Sequence, residues 1–453
     1  MLFNDWKFLF LFLPAVLFVG LLLRGRWREL FLIAASFAFY GFTGWFHALL
    51  LALCILWLHL FSNIALRPTR MMTALAILLP AGVLLYFKYA NFLLDSAAAV
   101  FGFAAPHVPT SGDAALPAGI SFFTFHLIAF AIDRYRGTVE RPQPLARFTL
   151  FISMFPHLVA GPILRWRDVD VGLAALPRWR LLSPAATEAI TYILFGLALK
   201  VVLADNLGLQ VNGITARLGE MSLPDALYVV LGYSFQIYFD FYGYSLIAIG
   251  LGLLFGLRFP DNFARPYAAL NPREFWRRWH ITLSYWIRDY LYMPLGGNRH
   301  YIRNILIVFA LCGLWHGAGW NFVIWGVYHG LLVIGYHLAR PQWDRLPAPV
   351  QLLANFSLVS LGWTLFLFDF GRWSEFMLRL ADADAGVSRI SPTGWLLLAA
   401  APFIVAYLRP EPIAARACST ARGAVAWGLG MVALALAVLL FLDGSGAFIY
   451  FRF

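Results

Sequence analysis

The chain is a succession of apolar runs, most of them near the length that crosses the hydrocarbon core of a bilayer, about 20 residues as a helix. They lie near residues 6–23, 29–43, 45–66, 71–94, 118–132, 188–204, 226–256, 304–316, 319–338, 350–370, 395–409 and 424–442. Backbone in hydrocarbon must satisfy its own polar groups, and runs of this length do so as helices. Of 453 residues 61% are hydrophobic and 13% charged, about half the charged share of a soluble domain. The expected fold is an all-α polytopic membrane protein of about 11–12 transmembrane helices, with re-entrant and amphipathic interfacial helices besides. No long polar linker interrupts it, so one membrane domain over 1–453 is expected. Its parts would be N-terminal helices (1–117), a core (118–345) and C-terminal helices (346–453).

Charge gives the sidedness. The net charge is +11, and the bases sit in alternate loops: Arg24–Arg28, Arg67 and Arg70, Arg134–Arg141, Arg258–Arg303, Arg340 and Arg345, Arg409–Arg422. The other loops are neutral or acidic; 95–117 holds Asp95 and Asp113, and 205–225 holds Asp205, Glu220 and Asp225 against one arginine. The positive-inside rule then puts both termini outside the cytoplasm. The same pattern assigns the positive charge to topology and anionic lipid rather than to nucleic acid. The N-terminal run 6–23 is followed, not preceded, by bases, which reads as a retained span rather than a signal peptide. Cys54, Cys312 and Cys418 lie in or beside apolar segments without CxxC spacing, so no disulfide framework is expected.

Two stretches fit no simple span. Residues 148–163 are apolar but carry Pro156, His157, Gly161 and Pro162, which predicts a re-entrant segment. In 271–297, Asn271, Pro272 and Glu274 form a helix start, and Pro294, Gly296 and Gly297 a stop near Tyr292. Helical spacing over 272–292 puts Trp276, Trp279, Leu283, Trp286, Ile287 and Tyr290 on one side and Arg273, Arg277, Ser284 and Arg288 on the other, with His280 at the boundary. An amphipathic helix with a basic face follows, lying on the cytoplasmic interface or lining a cavity.

Ionisable groups in apolar surroundings are costly and mark functional candidates. His126, His157, His316, His329 and His337 are so placed. His316 lies between Gly313 and Gly317, with Trp315 and Trp320 as walls and Asn321 nearby. Its imidazole either takes a proton from a substrate hydroxyl or ties neighbouring helices together. His280, beside Arg277 and Arg278, is either a headgroup contact or a catalytic group. Asp240, an acid inside an apolar run, either pairs with an arginine of the 265–303 region or orients a catalytic group. The chain has no HExxH, Cys/His ligand cluster, P-loop, dinucleotide fingerprint or GxSxG elbow, so no metal or bound cofactor is expected.

Longer motifs carry a resemblance. Residues 262–267 (NFARPY), 274–284 (EFWRRWHITLS), 286–292 (WIRDYLY), 294–299 (PLGGNR) and 314–317 (LWHG) with 320–322 (WNF) resemble the core of the membrane-bound O-acyltransferases. Residues 119–125 (GISFFTF) with Asp133, Tyr135, Arg136 and Gly137, residues 155–163 (FPHLVAGPI) and the closing 448–453 (FIYFRF) are similar to its bacterial branch that acetylates alginate and other exopolysaccharides. D-alanyl transfer relatives share the two histidine blocks less closely. The resemblance implies a funnel-like helical bundle with His316 as the essential histidine and His280 as the second motif histidine. Arg277, Arg278, Ser284, Arg288, Trp315, Asn321 and Asp240 are the expected donor- or substrate-binding residues.

The implied activity is transfer of an acetyl group from a cytoplasmic thioester, acetyl-CoA, across the bacterial inner membrane to a polysaccharide hydroxyl or a protein. Transfer is direct or through a periplasmic SGNH-type acetyltransferase or esterase partner. A transporter or flippase for a lipid-linked saccharide and a non-catalytic assembly subunit are the alternatives. No inverted repeat supports the transporter.

Overall fold

The computed structural model describes the chain apart from residues 113–114, 182, 382–387, 418, 445, 447 and 450–453. Asp113, Cys418 and the motif residues Tyr450, Phe451, Arg452 and Phe453 lie outside the described residues. Among the described residues the regular elements are all helical. Among the described residues seven helices are long and apolar enough to cross a membrane: Trp45–Asn63, Arg70–Phe101, Pro184–Thr215, Leu223–Leu254, Trp320–Trp343, Ala348–Leu367 and Ala421–Phe441. Pro392–Tyr407 and Pro410–Ala417, bent by 63° at their junction, bring the number to eight if they form one span. The apolar runs outnumber these helices because several become shorter ones. Arg26–Gly41, Ile120–Arg136 and Tyr301–His316 have 16 or 17 residues.

The fold divides into two compact units. The first comprises Met1–Ile193, Ser245–Pro260 and Ala417–Ser419. In it the 148–163 segment is broken: helix Leu145–Ser153 stops at Met154, Phe155–Leu158 makes one turn, and 159–165 has no helix. Residues 150–164 are buried, and protein groups satisfy the freed backbone. Phe155 N–H donates to Ser36 Oγ at 3.2 Å and Leu164 N–H to His126 Nε2 at 3.0 Å. His157 packs on His126, centroids 5.2 Å apart, so both histidines serve this break. Two arginines expected in basic loops are instead helical and interior. Arg28 donates to the carbonyls of Gly20, Leu176 and Trp179, and Arg134 to those of Ala65 and Val139.

The second unit comprises Leu194–Tyr244, Asp261–Arg416 and Thr420–Phe453. It holds α1 (Leu223–Leu254) as far as Tyr244, α2 (Pro272–Arg278), α3 (Ile281–Ile287), α4 (Tyr301–His316), α5 (Trp320–Trp343) and α6 (Ala348–Leu367). The start of α2 is as the sequence predicts. Asn271 Oδ1 accepts from Glu274 N–H at 2.8 Å, with Pro272 at the first helical position. The continuous helix expected over 272–292 is corrected: it breaks at Trp279–His280, where His280 takes a left-handed conformation with φ 45° and ψ 55°. The second half, α3, runs on through a wider turn at Arg288–Tyr292. α4 and α5 form a tight hairpin. A Cβ on Gly313 would lie 2.1 Å from the Phe322 carbonyl oxygen, and one on Gly326 2.1 Å from that of Phe309. Only glycines allow this backbone-to-backbone approach.

Candidate active site

The break at His280 is held by Asn262. Ile281 N–H donates to the Asn262 carbonyl oxygen at 3.0 Å, and Ala264 N–H to that of Arg278 at 2.9 Å. The Asn262 side-chain oxygen accepts from the Thr282 hydroxyl at 2.9 Å and lies 3.0 Å from His280 Nδ1. An oxygen that only accepts fixes the proton of the neutral imidazole on Nδ1. The lone pair is then on Nε2, which is buried without a hydrogen-bond partner. His280 lies outside the candidate spans, and burial pushes its pKa down to about 3, so the ring is neutral. Its environment makes it a hydrogen-bond acceptor.

His316 is the last residue of α4 and is 3% exposed. Its ring meets Trp315 at 4.9 Å between centroids, Trp325 of α5 at 5.1 Å and Phe366 of α6 at 5.4 Å. His280 stands 6.0 Å from the other neighbour of this wall, Trp315. The two histidines therefore flank one indole inside an apolar enclosure. His329 joins the cluster through Trp325, at 4.9 Å, and Trp276, at 5.2 Å. The glycines beside His316 serve packing: a Cβ on Gly317 would overlap the Phe322 ring at 2.2 Å.

The predicted binding residues separate into groups. Arg273, Arg277, Ser284 and Arg288 line a cavity of about 210 Å³ whose apolar wall is Trp276, Leu283, Ile287, Val308, Phe309 and Cys312. Trp276 connects this wall to the histidine cluster, meeting Trp325 at 5.8 Å. Ser284 is tied down, donating to the Trp276 carbonyl oxygen at 3.1 Å, and Arg288 pairs with Asp289 at 2.7 Å. Arg278 lies elsewhere. It pairs with Glu274 and lines a second cavity of about 470 Å³ with Tyr238, Tyr242, Asp261, Arg265, Arg409 and Glu411. Asn321 donates to the Leu365 carbonyl oxygen at 3.2 Å, which closes the end of α6. Asp240 pairs with Lys200 at 2.7 Å, where an arginine of 265–303 was the expected partner.

Sequence reasoning missed Asn262, Lys200, Trp325 and Phe366. Asn262 stands within a quoted motif, but its role depends on a hydrogen bond across 18 residues. Lys200 could have been found as the basic group in an apolar run that a buried acid requires. Among the described residues no group of three His, Cys, Asp or Glu side chains is arranged to hold a metal.

Comparison with known proteins fits this geometry. The model of the membrane-bound O-acyltransferase family matches residues 120–350, which include both histidines and the arginine-lined cavity. A probable alginate O-acetylase, AlgI, of Azotobacter vinelandii is 39% identical over 83% of this chain and 79% of its own. A peptidoglycan O-acetyltransferase of Helicobacter pylori is 33% identical over 81% of this chain and 77% of its own. A teichoic acid D-alanyltransferase of Streptococcus thermophilus is 31% identical over 47% of this chain and 55% of its own.

Proposed function

The chain belongs to the membrane-bound O-acyltransferase family and is a multi-pass membrane O-acyltransferase, and from that premise we propose that it acetylates a polysaccharide outside the cytoplasm, using His316 and His280. The donor in this reading is acetyl-CoA on the cytoplasmic side of the bacterial inner membrane. The observation that carries it is the pair of buried histidines on either side of Trp315, one with a fixed tautomer and an open Nε2. Likeness to a probable alginate O-acetylase and a peptidoglycan O-acetyltransferase supports the acetyl group and a glycan acceptor.

The donor's phosphates would be drawn to Arg273, Arg277 and Arg288 by simple Coulomb attraction, while its apolar portion meets the Trp276–Ile287 wall. His316 removes the proton of the acceptor hydroxyl as its oxygen attacks the thioester carbonyl carbon. The C–S bond breaks and the thiolate leaves with a proton returned from the imidazolium. His280 in its Nδ1–H tautomer accepts a hydrogen bond at Nε2 from an N–H of the donor, which positions it. A periplasmic SGNH-type partner would receive or pass on the acetyl group, and both chain termini would lie in the periplasm.

The test uses purified protein in lipid nanodiscs with radiolabelled acetyl-CoA and deacetylated alginate or peptidoglycan fragments. The His316→Ala variant should lose transfer by about 10²–10⁴-fold, the range for a general base. Transfer at the wild-type rate by that variant would overturn the assignment. D-alanyl or longer acyl esters on envelope glycans, seen by mass spectrometry, would overturn acetyl.

A further inference from the structure

We infer that Phe241 is a positioning residue for His280, and that the segment carrying Gly446, Phe448 and Ile449 holds Phe241 in place. The inference rests on His280 belonging to the reacting centre. A hydrogen bond at Nδ1 fixes one edge of the imidazole and leaves the ring free to rock about that edge. The Phe241 ring removes this freedom, standing at 90° to His280 with centroids 4.7 Å apart. Phe241 is itself gripped from two sides. Phe263, next to Asn262 in the chain, meets it at 5.1 Å, and Phe448 meets it at 5.5 Å. Phe448 is fully buried and stacks on Tyr244 at 4.5 Å and 17°.

Buried charge locks this segment down. Lys200, 1% exposed, lies 2.6 Å from Asp205 and 2.7 Å from Asp240, the residue before Phe241. The same carboxylates reach the segment: Gly446 N–H donates to Asp205 at 3.2 Å and Ile449 N–H to Asp240 at 2.8 Å. A buried carboxylate such as Asp240, and a partly buried one such as Asp205, favour the N–H groups they can recruit. Docking of Gly446 and Ile449 thus serves the acids and, through Phe448, sets the Phe241 ring. Aligned catalytic groups are worth one to two orders of magnitude in rate, and that is the role assigned to this clamp.

Phe241→Leu keeps apolar bulk but removes the perpendicular ring; Phe448→Ala removes the grip and leaves the charges untouched. Each should lower kcat for acetyl transfer in nanodiscs by roughly tenfold to a hundredfold, with KM for acetyl-CoA within about twofold. Phe448→Leu should recover part of the loss. Lys200→Met removes a buried ammonium from beside both acids and is expected to destabilise the fold, so the aromatic variants carry the test. A second readout needs no activity: ¹⁵N-histidine NMR in detergent, with His280 assigned by its loss in His280→Gln. The wild type should show a sharp Nδ1–H tautomer, broadened or averaged in Phe241→Leu and Phe448→Ala. Unchanged kcat and an unchanged His280 signal would overturn the inference. If the wild type transfers no acyl group, the acetyltransferase reading fails instead, and the NMR alone decides the clamp.

Discussion

His280 is one of two described non-glycine residues with positive φ, the other being Arg265. Such a conformation costs roughly 1–3 kcal/mol and persists only where surrounding contacts impose it. Asn262 supplies those contacts through its side-chain oxygen and its backbone carbonyl. Asn262→Leu should therefore remove the oxygen that meets His280 Nδ1 and accepts from the Thr282 hydroxyl, cost about 1–3 kcal/mol, and lower kcat about 10- to 100-fold. Asn262→Asp keeps an accepting oxygen and should retain more activity; equal loss in both would point to shape rather than hydrogen bonding. A pH effect follows from the same residue. The folded pKa of about 3 lies below the ordinary 6.5, so between these values the unfolded chain binds a proton that the folded one rejects. Stability from neutral His280 is full above 6.5 and is lost as pH falls toward 3. Acidification from about pH 7.5 to about pH 5 should lower the unfolding temperature of the wild type more than that of His280→Gln. Parallel curves would assign the acid sensitivity to other groups.

At the level of elements, the α4–α5 hairpin depends on two glycines that the sequence displays without explaining. Gly313 and Gly326 stand where any Cβ collides with a carbonyl oxygen of the opposite helix. Overpacking of this kind costs about 1–3 kcal/mol, and the clash is with backbone that cannot rotate away. Gly326→Ala should lower the melting temperature in detergent by several degrees and disturb Trp325, which touches His316. Gly335→Ala, on the same helix with nothing within 4 Å of its Cβ position, should be neutral or slightly stabilising because alanine is the better helix former. If both variants melt alike, the close approach is not what glycine provides. The contrast also shows what sequence patterns reveal. The cap at Asn271, the stop after Tyr292 and the broken 148–163 segment were legible because proline, glycine and capping side chains act locally. The break at His280 was not: helical spacing runs on smoothly across it, and the interruption comes from Asn262, 18 residues away. Asp240 was legible as a buried acid and Lys200 as a base in an apolar run, while their pairing required the packing of two helices.

Across the whole molecule, apolar length and loop charge carry different information. Length indicates the class of fold, yet apolar runs near 29–43, 118–132 and 304–316 form helices of only 16 or 17 residues. Loop charge speaks to sidedness, but Arg28 and Arg134 are buried on backbone carbonyls and report packing instead. Removing them, and the paired or buried Asp205 and Asp225, leaves the 258–303 region as the strongest basic stretch, while 216–222, with Arg217 offset by Glu220, carries no net charge; the positive-inside rule then predicts opposite faces for the two. Cysteine labelling tests that placement within the second unit. Gly219 has no atom within 4 Å of a Cβ and Arg299 is exposed, so a cysteine fits at either position. Cys54 and Cys312 are buried and give little background, and Cys418 is replaced by serine. In intact cells Gly219→Cys should react with a membrane-impermeant maleimide, and Arg299→Cys only after permeabilisation. The reverse pattern would put the arginine-lined cavity on the outer face, and a cytoplasmic thioester could then no longer be its donor.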